Sequence, residues 1–214
     1  MKSKFARGPA LGFLLRFVFI FGLLIVPWPG WNQAYSRYFQ SLGQMVYSFS
    51  FDSQRKVIIQ PSSGEHPGLD TRMILENTAL TDKGDRNGLR ATELDSRSIG
   101  WVPTALTAAL VLATPIPWRR RLIALSAGLV LIHLFVLLCL QSWIWSESSA
   151  VSLLSLSGFW QQAADDLNYT LMIQLGASFS VPVVIWILVT FRRQDQEALA
   201  TSHRRETTAS ASAD

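Results

Sequence analysis

The chain has 214 residues, of which 49% are hydrophobic and only 16% charged, with a mean hydropathy of +0.24. Soluble domains carry about 25% charged residues, so an ordinary soluble globule does not describe it, and extended disorder needs far fewer apolar side chains. A single cysteine excludes a disulfide scaffold and any all-cysteine zinc or iron–sulfur site within one copy.

Four apolar runs reach the length of about 20 residues that a helix needs to cross a hydrocarbon core. They cover residues 10–29, 99–118, 122–145 and 171–191. Trp28, Trp31, Trp101, Trp118, Trp143 and Trp145 stand near their ends, where aromatic rings favour the headgroup layer. The fold class expected is an all-α transmembrane bundle of four spans. A small extracytoplasmic β-hairpin or meander is inserted between spans one and two.

Taken in order, residues 1–9 are the N-terminal flank, with Lys2, Lys4 and Arg7. The first span could be a cleaved signal peptide. Its length and the Pro27-Trp28-Pro29-Gly30-Trp31 ending, without a small-x-small cleavage site, favour a retained anchor. Arg16 lies about one turn inside its cytoplasmic end and can snorkel to the headgroups. Residues 30–98 open with an amphipathic helix over 32–51, where Tyr35, Phe39, Leu42, Val46 and Phe49 recur at helical steps. Short strands are expected at 56–60, 70–78 and 89–94, with a solvated turn before the last. So few apolar residues cannot stabilise a sheet alone, so it should rest on the bundle.

Spans two and three are joined at Arg119, Arg120 and Arg121, read as a tight hairpin turn. The loop 146–170 has no Lys or Arg and carries an interfacial helix over 152–167. Arg192 and Arg193 follow the fourth span, and the tail 192–214 reads as disordered. The positive-inside rule then puts both termini and the arginine turn in the cytoplasm of an inner (plasma) membrane protein. That side holds 11 of the 19 basic residues; the other 8 lie in the long loop with 8 acidic ones. The net charge of +4 is thus accounted for by topology, and no nucleic-acid partner is implied.

Chemistry-bearing residues are few. His133 and Cys139 are the intramembrane polar candidates. They are six residues apart, about 240° around a helix, so they share no face, and an inert buried thiol is the better reading of Cys139. His133 is either functional, as an ionisable group at bilayer depth, or bonded across to Thr107, Gln174 or Ser178. Ser53 and Lys56 have the spacing of some serine acyl-enzymes but lack the companion motifs. No catalytic residue, metal site or cofactor is expected. Small residues four apart, at Ala105/Ala109/Ala113, Ala124/Gly128 and Gly176/Ser180, favour close helix packing.

The order of parts resembles that of the small membrane proteins that accompany exosortases, the bacterial membrane transpeptidases that process surface proteins, and most of all the exosortase H-associated type. The resemblance rests on the arginine-bearing first span, the outer region and the hairpin from Ala113 through Pro115, Pro117 and Trp118 to Arg121. It continues through Gly128, Gln141-Ser142-Trp143 and Val181-Pro182-Val183-Val184-Ile185-Trp186. It implies an accessory role in surface-protein sorting, with the bilayer and an exosortase-type enzyme as partners and no chemistry of its own. The alternatives are a membrane-embedded thiol or serine hydrolase, using Cys139 or Ser53, and a transporter subunit using His133.

Overall fold

The computed structural model describes residues 7–26, 28–47, 54–62, 68–81, 88–148, 151, 157–170 and 176–191. Arg192, Arg193, the tail, Ser53 and Gln174 lie outside the described residues.

The first apolar helix, α1 (Arg7–Ile25), ends before a turn at Gly30, whose φ of +79° is left-handed and suits a residue without a Cβ. The last carbonyls of a helix have no partner within it. Three indole and guanidinium donors take them here: Trp28 Nε1 bonds Leu23 O, Trp101 Nε1 bonds Leu24 O and Arg97 Nη2 bonds Ile25 O, at 3.0, 3.1 and 2.7 Å. Arg97 and Trp101 belong to a π-helical turn (Arg97–Trp101) that feeds α4 (Val102–Ala113). Pro103 sits in the first turn of α4, where its missing N–H costs nothing. Thr114 then turns extended and Pro115 and Pro117 end the helix. The helix α5 (Trp118–Ser148) runs 31 residues, and α7 (Ala177–Thr190) starts after the left-handed Gly176. At the centre, α4 packs against α1, α5 and α7.

Among the described residues one helix, Trp118–Ser148, is long and apolar enough to cross a membrane on its own. The other three apolar runs form shorter helices, Ala10–Ile25, Arg97–Ala113 and Ser178–Thr190. The expectation of four helices of spanning length is corrected accordingly. Proline and glycine punctuation cuts α1 and α4 short of their apolar runs. The reversal between α4 and α5 is also corrected: it is made by residues 114–117, because the prolines cannot continue a helix, while Arg119, Arg120 and Arg121 lie in the first turn of α5.

Small side chains do bring α4 and α5 together. Ala105, Ala109, Ala113 and Ala124 are all at most 3% exposed. Thr107 sits over Gly128, where a Cβ would lie 3.2 Å from its methyl. Gly176 and Ser180 are exposed instead, so that pair is not a packing seam.

The sheet-bearing end of the molecule holds α2 (Trp31–Tyr47), β1 (Arg55–Pro61), β2 (Thr71–Asn77), a short α3 (Thr78–Thr81), β3 (Leu89–Leu94) and α6 (Gly158–Tyr169). The strands form an antiparallel meander in the order β1-β2-β3, with Val57 opposite Leu75 and Met73 opposite both Ile59 and Thr92. Alternation puts Val57, Ile59, Met73, Leu75 and Leu94 on one buried face. That face packs on Phe39 and Tyr47 of α2 and on Val136, Leu140, Trp143 and Ile144 of α5. The last third of α5 is therefore core for the sheet, which explains why a helix of about 46 Å exceeds one bilayer crossing. The second amphipathic helix is α6; residues 152–156 of the expected 152–167 segment lie outside the described residues.

Candidate functional site

Several polar side chains inside the apolar helices are satisfied within their own helix. Thr104, Thr107 and Thr114 donate to the carbonyls of Gly100, Pro103 and Leu110, four residues back. His133 behaves alike: Nδ1 lies 2.7 Å from Leu129 O. A carbonyl only accepts, so Nδ1 carries the proton. The expected bond from His133 to Thr107 or Ser178 is corrected by this geometry, since Thr107 bonds Pro103 and Ser178 Oγ lies 3.3 Å from Ser98 O; Gln174 lies outside the described residues. The imidazole meets the Tyr38 ring edge-on at 5.7 Å. Both rings border an open, largely apolar groove of about 460 Å³ with Leu129, Val130, Leu134 and Leu137.

Cys139 is 3% exposed, buried on α5. The structure does not bring it together with His133. The backbone carbonyl of Cys139 accepts the Ser142 hydroxyl at 2.8 Å. Lys56 points outward from β1. Among the described residues no three His, Cys, Asp or Glu side chains are gathered as a metal site.

The arginines close the far end. Arg120 Nη2 bonds Thr190 O, the last carbonyl of α7, at 2.7 Å. Arg121 Nη2 reaches Thr114 O and Ile116 O in the reversal, and its guanidinium lies over the Trp118 ring. Trp186 Nε1 donates to Thr114 Oγ1 at 2.8 Å, tying α7 to the same turn, and Thr190 donates to Trp186 O. Arg119 is exposed. Arg16 is exposed on α1, one turn from Phe13, whose ring stacks on Trp186.

Residues with no motif organise the sheet module. The Asp70 carboxylate accepts the Ser96 N–H, the Ser96 hydroxyl and the Thr71 hydroxyl at 3.0, 2.6 and 2.9 Å. Gln40 Nε2 donates to Asp70 O, and Gln44 Oε1 accepts the Ile59 N–H of edge strand β1. Asp95 receives the Arg97 N–H and so starts the π-helical turn. Tyr47 donates its hydroxyl to Leu137 O at 2.7 Å, and burial pushes its pKa up to about 12. Burial also raises that of Tyr35, which packs against Trp101. None of these long-range pairings carries a local sequence signal.

One surface stands out. Phe159 and Trp160, at the start of α6, are 74% and 62% exposed and meet edge to face at 5.4 Å. The next residue, Gln161, bonds Ser146 O near the end of α5. Ser146 lies eight residues, or about 12 Å, beyond Leu138, the last exposed aliphatic of α5. No protein-family model matches the chain, and neither a curated protein nor a solved structure matches it.

Proposed function

We propose that the chain is a multi-pass inner-membrane protein in which α1, α4, α5 and α7 each cross the bilayer, both termini lying in the cytoplasm. The belt of exposed apolar side chains supports this reading: Leu11, Leu15, Val18 and Phe19 on α1, Ile123, Val130 and Leu134 on α5, and Val184 and Leu188 on α7. Soluble monomers rarely expose contiguous apolar surface on this scale. The short α1, α4 and α7 have terminal carbonyls taken by Arg97 and Trp101, by Arg121 at Thr114 O, and by Arg120 respectively, rather than left bare in lipid.

Its role is that of a non-enzymatic accessory or assembly subunit for a larger membrane machine, an exosortase-type transpeptidase being the partner that the sequence resemblance favours. The observation that carries this is the exposed Phe159–Trp160 pair, on a helix tied to Ser146, about 12 Å beyond the last exposed aliphatic of α5. Exposed aromatic pairs of this kind anchor protein interfaces. The polar groups of the sheet module are meanwhile used in holding segments together.

The test is a photo-crosslinking amino acid at Trp160, with the full chain expressed in its host and its exosortase-type enzyme followed by mass. A crosslink to that enzyme, lost on Phe159→Ala, is expected. Crosslinks only between copies of this chain contradict the accessory role.

A further inference from the structure

The polar layers that bound the apolar helices can be measured against each other. Thr107 sits over Gly128, which sets the register of α4 on α5. Ten residues separate Arg97 from Thr107 and seven separate Arg121 from Gly128, so the two arginine layers stand about 25 Å apart along the helices. The exposed aliphatics of α5 agree: from Leu122 to Leu138 they cover about 24 Å, after which α5 turns its side chains into the sheet core.

The apolar stretches of the neighbouring helices are shorter still. On α7, Ser178 bonds Ser98 O at one end and Thr190 O accepts from Arg120 at the other, a separation of about 18 Å. On α1, the exposed apolar side chains run from Leu11 to Val26, about 22 Å. A typical hydrocarbon core is about 30 Å thick.

We infer that this bundle fits a bilayer thinner than the average and thins the lipid around it, most strongly beside α1. There Arg16 projects from within the belt between exposed Leu15 and Phe19. Its guanidinium snorkels toward the headgroups, over a shorter path where they are drawn down to it. A short apolar belt in a thicker bilayer costs a fraction of a kcal/mol per Å of mismatch, so the lipid partner selected is one with short acyl chains. The inference rests on the membrane-spanning reading above, and the experiment separates the two.

The full chain is reconstituted into phosphatidylcholine vesicles graded in chain length: dimyristoleoyl, dipalmitoleoyl, dioleoyl and dierucoyl. Vesicle flotation and the unfolding midpoint are followed in each. Flotation in every lipid is expected, with the midpoint highest in the two shorter lipids and lower by several degrees in dierucoyl vesicles. Arg16→Leu should recover part of that loss. Flotation with a midpoint that is flat or rises with chain length overturns the thin-belt inference while leaving the spanning reading intact. Failure to float in any lipid overturns the spanning reading itself. An equal loss in Arg16→Leu overturns the part assigned to Arg16.

Discussion

The apolar bundle and the sheet module satisfy their polar side chains at opposite sequence distances. In the middle of the bundle, Thr104, Thr107 and His133 each reach a carbonyl four residues back on the same helix. In the module, Ser96 reaches Asp70 across 26 positions, Asn77 reaches Val151 across 74 and Tyr47 reaches Leu137 across 90. The reason is physical. A helix in an apolar setting must close its hydrogen bonds locally, because no water can complete them. A three-stranded sheet too small to fold alone gains its order from ties to distant segments. The helices therefore supply the height of the molecule and the ties supply its outer shape.

The sharpest way to break that division is Leu75→Ala. Leu75 is fully buried between sheet and helices, and truncation there should cost about 2–5 kcal/mol. Hydrogen exchange in detergent should show β1–β3 and α2 losing protection while α4 keeps its own. Next, Gly128→Leu should overpack the α4–α5 seam against Thr107, at about 1–3 kcal/mol. Its signature is the reverse, with exchange rising in α4 and α7 first.

A pH titration sharpens the comparison. The folded-state pKa of Tyr47 is raised to about 12 by burial, from an ordinary 10.0, so the unfolded chain loses this proton first. The contribution is complete below pH 10 and is lost as pH rises through about 12. Near-ultraviolet dichroism should report alkaline loosening of the module in that window, weakened in Tyr47→Phe. The smallest effect belongs to Arg90→Ala. Its ion pair with Glu147 spans 3.0 Å, with Arg90 57% exposed, and exposed pairs contribute at most about 1 kcal/mol. Chemical denaturation should barely move.

Much of the fold was readable from local pattern. Apolar runs marked the bundle helices, alternation located all three strands, and β3 begins and ends where expected. The helical spacing from Tyr35 to Val46 marked α2. What misled was the assumption that every apolar run is helix: Thr114 to Pro117 are apolar enough to extend a span, yet two prolines make them the reversal. What stayed hidden was tertiary. The sequence of α5 past Leu138 does not say that Leu140, Trp143 and Ile144 will face a sheet rather than lipid. Asp70 likewise looks like one acidic residue among eight in its loop until Ser96 and Thr71 close on it. Phe159 and Trp160 fall in the expected interfacial helix, but the bond from Gln161 to Ser146 that fixes this helix against the end of α5 carries no local signal.

The central claim is that α5 leaves the apolar layer near Leu138 and enters a water-side module. It is tested by nitroxide labels on a Cys139→Ser chain in dioleoyl vesicles, placed singly at Ile123, Val130, Leu134 and Trp145. Collision rates with oxygen and with a water-soluble nickel chelate give each depth. The account predicts oxygen-dominated collisions at Ile123, Val130 and Leu134 and nickel-dominated collisions at Trp145. Oxygen dominance persisting at Trp145, or nickel dominance at Val130, would contradict it.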